Sequence, residues 1–180
     1  MAKNKSFEDF VAKHSTESEA PTFDPENEIQ EWRAALDSLY ISIENYVLPY
    51  KETGSIDLKL VTTTLHEELL GAYKVNKGVL MVGNAKYILA PVGTMLIGSK
   101  GRVDVLGPAG TGMLALVRGD GPKINFRVTI GSQAVPPVKK IESEKIELPW
   151  KWKIVSNKPP YIYTDLNENN FLSLLMEIGA

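Results

Sequence analysis

The sequence predicts an α+β fold: an antiparallel β-rich central sheet or small barrel of about 8–10 strands, flanked by a long N-terminal helix and a C-terminal helix. Three observations predict it. Residues 24–50 carry apolar side chains at alternating spacings of three and four; residues 55–163 break into short runs rich in Val, Ile, Leu and Tyr, cut by glycine; residues 165–178 return to helical spacing. Residues 24–180 are expected to form a single α+β domain, preceded by an acidic arm over 1–23.

The arm mixes Lys, Glu, Ser and Thr around few large apolar groups, Phe7, Phe10, Val11 and Phe23. Such composition predicts a flexible segment that folds on a partner. Phe7, Phe10 and Val11 sit at i, i+3 and i+4, one stripe on a short helix starting near Ser6, and are candidate partner contacts.

Asp24 before Pro25 supplies a cap and a first-turn proline, and Glu26 and Glu28 suit the positive end of the helix dipole. Ile29, Trp32, Leu36, Leu39, Ile43, Tyr46 and Tyr50 then fall along one seam, with Pro49 and Gly54 expected to stop the helix near residues 48–50. Arg33, Ala35, Tyr40, Ser42 and Val47 beside the seam widen it and lack the paired charges of an exposed zipper. Docking on the protein's own sheet is therefore preferred to a coiled-coil dimer.

Candidate strands cover 56–64, 72–76, 79–83, 86–90, 94–98, 102–106, 113–118 and 124–130. The separators "NKG", "GN", "GSKG" and "GDGPK" are turn chemistry, so consecutive strands should pair. "LHEELLG" stays open, because Thr62 to Thr64 favour strand and Leu65 to Leu70 favour helix. After the connector "QAVPPVKK", "IELPWKWKIV" alternates Trp150 and Trp152 with Lys151 and Lys153. At strand period this sends the indoles to one face and the lysines to the other, which reads as core tryptophans and solvated lysines rather than a stacking platform. In the last helix Asn167 or Asp165 can cap, and Phe171, Leu174, Leu175 and Ile178 form a buried stripe. Leu172 and Met176 broaden it and are further candidate partner contacts.

"VDVLGPAGTGMLALV", residues 103–117, imitates a phosphate-binding loop. A working loop needs a Lys for the outer phosphates and a Ser or Thr for magnesium, whereas Met113 and Leu114 follow these glycines. The stretch is read as a β-hairpin, with Gly107, Gly110 and Gly112 in its turn. "GSKG" at 98–101 matches the GXXG loop of KH domains, but that loop joins two helices and this one lies between strand patterns.

The chain has no cysteine and two histidines, His14 and His66, which excludes disulfides, thiol catalysis, iron–sulfur clusters and Cys- or His-rich metal centres. No apolar run approaches the roughly 20 residues that span a bilayer, and the N-terminus lacks a hydrophobic signal core, so a soluble cytoplasmic protein without a membrane partner is expected. Net charge is −2, unevenly spread. Residues 1–54 hold 5 Lys or Arg against 11 Asp or Glu, residues 55–133 hold 9 against 5, and the remainder is balanced. Either the acidic arm lies on the basic body or the body meets an anionic partner, unless the asymmetry is only solvated surface.

No Gly-x-Ser-x-Gly elbow occurs, Ser55, Ser99 and Ser132 have ordinary turn surroundings, and nothing fixes a convergence of His66, Glu67, Glu68, Asp57, Asp104 and Asp120. No catalytic residue, metal site or cofactor is therefore expected. The leading expectation is a non-catalytic protein-interaction module, an accessory subunit or neutralising partner of a larger bacterial-type complex, acting as a hetero-complex or homo-oligomer. The alternative is a nucleic-acid binder placing Lys100, Arg102, Arg118, Lys123 and Arg127 on phosphates. A metal-dependent hydrolase comes third.

Overall fold

The computed structural model describes residues 23–94, 99–119 and 148–180. Helix α1 (Pro25–Glu52) precedes strands β1 (Ile56–Glu67), β2 (Gly71–Val82), β3 (Ala85–Gly93), β4 (Gly101–Leu106), β5 (Thr111–Arg118), β6 (Trp150–Val155) and β7 (Tyr163–Asp165), and helix α2 (Glu168–Gly179) ends the chain. The strands form one seven-stranded sheet in chain order, every pair antiparallel. The α+β expectation holds, and the barrel alternative is corrected: the sheet is open. Closure would require the 12-residue β1 to pair with the three-residue β7. Helices rather than a closing strand cover the apolar face.

α1 starts as its sequence dictates, with Asp24 Oδ1 accepting from the backbone N–H of Glu26 at 3.1 Å and Asn27 at 3.2 Å. It runs past Pro49, which lies inside the helix instead of stopping it. Proline removes one backbone donor and leaves the later carbonyls usable. Those of Tyr50 and Lys51 accept from Ser55 and Gly54, with Gly54 at φ 74° closing a Schellman end. α2 is capped by Asn167, whose side chain accepts from the Asn170 N–H at 2.9 Å.

Two expected strands, 72–76 and 79–83, prove to be the single strand β2. Asn76, Lys77 and Gly78 pair with Thr62, Val61 and Leu60 without interruption. Gly78 serves close packing here: a Cβ on it would lie 2.8 Å from Leu89 Cδ1 and 3.3 Å from Tyr40 Cε1. Tyr40 also donates to the Asn76 carbonyl at 2.7 Å. In "LHEELLG" β1 continues to Glu67, and the chain turns through Gly71 at φ 73°. Of the candidate strand 94–98, Thr94 is not in a strand and the rest lies outside the described residues, as does 124–130.

One face of the sheet carries both helices. Trp32, Leu36, Leu39, Ile43 and Val47 of α1 and Phe171, Leu174, Leu175 and Ile178 of α2 share one buried cluster with Leu80, Leu89, Val103, Val105 and Leu114. α1 therefore docks on its own sheet. Val47 rather than Tyr50 closes its stripe, leaving Tyr50 43 % exposed. A smaller cluster, Ala115, Val117 and Val155 with Met113 and Tyr163, is offset by one residue along the strands and so faces the opposite way.

The stretch 103–117 is the β4–β5 hairpin, with Leu106 opposite Thr111. Gly107 and Gly110 flank its turn, while Gly112 pairs with Val105 inside the strand, a correction to its expected place in the turn. The reason is α2. A Cβ on Gly112 would sit 2.6 Å from Leu174 Cδ1, and one on Gly107 would sit 2.4 Å from the Ile178 carbonyl oxygen. That same carbonyl accepts from the Ala109 N–H at 2.9 Å. The loop that resembles a phosphate cradle spends its donor on the end of a helix.

Candidate functional site

At the other end of β4, all three tryptophans of the chain come together. α1 supplies Trp32 and the N-terminal half of β6 supplies Trp150 and Trp152. Trp32 and Trp152 have ring centroids 6.0 Å apart, tilted by 40°. Trp152 donates its indole N–H to the Ala35 carbonyl at 3.2 Å, which fastens β6 to the helix. Trp32 packs closely on Gly101, where a Cβ would stand 2.1 Å from its Cζ3. Its own N–H is buried with no acceptor among the described residues.

Trp150 departs from the core reading, being 37 % exposed. The Arg118 guanidinium lies 4.5 Å from its ring centroid and Lys100 Nζ lies 5.8 Å away, both within cation–π range. Register explains the meeting, because Arg118 is directly opposite Trp150 and the Lys100 N–H donates to the Leu116 carbonyl beside it. Lys100 also bonds Glu31 of α1, and that hydrogen bond holds the Glu31 carboxyl below its usual value.

Two adjoining hollows run along this seam and share Ser38, Trp150 and Trp152 as walls. The first, about 310 Å³, is bounded by Glu31, Trp32, Ala34 and Lys100; the second, about 370 Å³, by Ser42, Tyr46, Lys151 and Asp165. The small side chains Ala34, Ala35, Ser38 and Ser42 leave α1 low on this side, so a groove opens between the helix and β6. β7 pairs only with Lys153 to Val155, and one further bond joins Leu166 N–H to the Trp152 carbonyl. The outer edge of Trp150 and Lys151 has no strand partner among the described residues.

Of the expected anion contacts, Lys100 and Arg118 converge here. Arg102 does not: it lies on the opposite face with its Nε 2.7 Å from Asp104 Oδ1. Lys123 and Arg127 lie outside the described residues, as do the candidate partner contacts Phe7, Phe10 and Val11. Met176 is 68 % exposed on α2, whereas Leu172 is half-buried against the core. The reading of solvated lysines is corrected for Lys153, which is buried and reaches Asp165 Oδ1 at 2.6 Å, depressing that carboxyl through the hydrogen bond. Lys151 is exposed as expected. Trp32 and Glu31 were not singled out as site residues by the sequence. The available signal was that Trp32 is one of only three tryptophans, the other two standing two residues apart.

The acidic candidates serve other contacts. Glu67 accepts from the Tyr73 hydroxyl and from the Thr94 N–H at 3.0 Å, Asp57 meets Lys59 at 3.1 Å, and His66 is exposed. Burial and the Glu67 bond push the Tyr73 hydroxyl well above its usual value. Among the described residues no three His, Asp or Glu side chains gather as a metal site, and no helix is long and apolar enough to cross a membrane.

No family model matches the chain. Neither curated proteins nor solved structures give a significant match to it.

Proposed function

We propose that the protein is a non-catalytic protein-interaction module, an accessory or neutralising subunit that docks another protein in the groove between α1 and β6. The observation that supports this most is the convergence of the three tryptophans, with Lys100 and Arg118 over the ring of the exposed one, Trp150. Trp and Arg are the residue types that most often carry interface energy, and they do so where a partner's side chain fills a desolvated hollow. Each hollow here is at the small end of ligand-sized cavities and suits one large side chain.

A nucleic-acid reading draws on the same exposed ring and its cations, since stacking platforms combine aromatics with Lys and Arg. Arg118 already lies over the Trp150 ring, and Trp32 and Trp152 are packed against each other and the helix. That leaves little open ring surface for successive bases. The test compares full-length protein with Trp150→Ala. Partner protein retained from an extract of the source cells should fall at least about tenfold, as expected when a hot-spot tryptophan is lost. Retention of single-stranded oligonucleotide that falls steeply with salt and disappears in Trp150→Ala would instead favour nucleic acid.

A further inference from the structure

The groove between α1 and β6 holds two adjoining hollows. We propose that it binds the protein's own residues Phe7–Val11, so that the N-terminal segment covers the Trp150 surface and competes with any partner for it. The inference rests on the groove used for the proposed function, but it does not require that a partner exist.

Three observations support it. The first is chemical fit: "FEDFV" places two aromatic rings and a valine around two carboxylates. The groove offers two adjoining hollows lined by indole, with Arg118 and Lys100 at the Trp150 ring, the latter also bonded to Glu31. Asp165 in the second hollow is already held by Lys153. An aromatic anchor in each hollow and Glu8 or Asp9 toward the cations would pair apolar with apolar and acid with base.

The second observation is spacing. Phe7, Phe10 and Val11 stand at i, i+3 and i+4, the anchor pattern of a short helix laid in a groove. The third is reach. Ser38, in the wall shared by the two hollows, lies 14 positions along α1 from Asp24, about 21 Å at the helical rise. The same number of positions separates Phe10 from Asp24, and an extended chain of that length spans up to about 46 Å. The segment arrives from the N-terminal end of the helix that forms one wall.

The chain's lack of cysteine makes a direct test available. A single cysteine at Ala12→Cys in the full-length protein carries bimane, whose emission is quenched on contact with tryptophan. The proposal expects quenching that is independent of protein concentration. It should be lost in Phe7→Ala/Phe10→Ala, which keeps every tryptophan, and weakened in Glu8→Lys/Asp9→Lys. Synthetic peptide of residues 4–14 should relieve it only at high concentration, because a tethered segment competes at an effective concentration on the order of millimolar.

Absent quenching, or quenching unchanged by Phe7→Ala/Phe10→Ala, would overturn the proposal. So would quenching that grows with protein concentration, which would place the segment in the groove of a second copy. Partner capture measured in parallel separates the two readings. A partner lost in Trp150→Ala but retained equally with and without residues 1–22 would support the docking groove while removing its internal occupant.

Discussion

The two ends of β4 carry loops that look alike in sequence and differ in the fold. "GPAG" after the strand and "GSKG" before it are both glycine-rich, and each offers a superficial match to a phosphate or nucleic-acid loop. At the far end α2 settles onto the glycines, with Leu174 against Gly112 and the Ile178 carbonyl capped by Ala109. At the near end α1 settles on Gly101 through Trp32, yet Lys100 and the adjacent Trp150 stay at the surface beside a groove. Glycine in both places marks close approach of a helix. What separates a sealed end from an open one is the size of the neighbouring helix side chains: bulky Leu174 and Ile178 on α2, small Ala34, Ala35 and Ser38 on α1 beyond Trp32.

The largest effect should come from the residue both regions depend on least equally. Trp32→Ala empties a fully buried site under the groove and should cost about 3–5 kcal/mol in urea unfolding. Trp150→Ala, at a surface ring flanked by Arg118 and Lys100, should cost no more than about 1 kcal/mol. Equal losses would erase the distinction between floor and rim.

A middle-sized effect sharpens the sealed end. Gly112→Ala would drive a methyl into Leu174 and should cost about 1–3 kcal/mol by overpacking. A Cβ at Gly110 meets Ile178 at an ordinary 3.6 Å. Gly110→Ala should therefore stay within about 0.5 kcal/mol of the parent, as surface substitutions usually do. Thermal melts of the two variants under one condition decide it.

The smallest effect concerns pH at the open end. Hydrogen bonds from Lys100 and Lys153 lower the carboxyls of Glu31 and Asp165 in the folded protein. A depressed folded value means stability that is present above the unfolded value, about pH 4, and lost as pH falls through the folded one. Urea midpoints taken from pH 6 to pH 3 should decline less in Glu31→Gln and Asp165→Asn than in the parent. Both groups are largely solvent-exposed, so screening keeps the difference modest.

The helices were legible because their signals are local. Asp24–Pro25, Gly54 and Asn167 fix ends by chemistry within a few residues, and the stripes Trp32 to Ile43 and Phe171 to Ile178 declare which side is buried. β2 was misread as two strands because Gly78 looks like a turn residue until Tyr40 and Leu89, distant in sequence, are laid against it. The candidate site was half visible. Lys100 and Arg118 stood out as cations, but their meeting depends on the register that sets Arg118 opposite Trp150 across an intervening 31 residues. Alternation correctly separated Trp150 and Trp152 from Lys151 and Lys153, yet it carries no information on which neighbours each face meets. Asp165 on β7 is what allows Lys153 to be buried.

The proposed function makes the open end of β4 a docking surface and the sealed end structural. A matched pair of substitutions tests it most directly: Trp150→Ala at the groove and Pro108→Ala at the tip of the hairpin turn, both at exposed positions. Each should melt within a few degrees of the parent, as a change of at most about 1 kcal/mol implies. Partner retention should fall at least about tenfold in Trp150→Ala and be unchanged in Pro108→Ala. Equal retention by the two variants, or loss confined to Pro108→Ala, would contradict it.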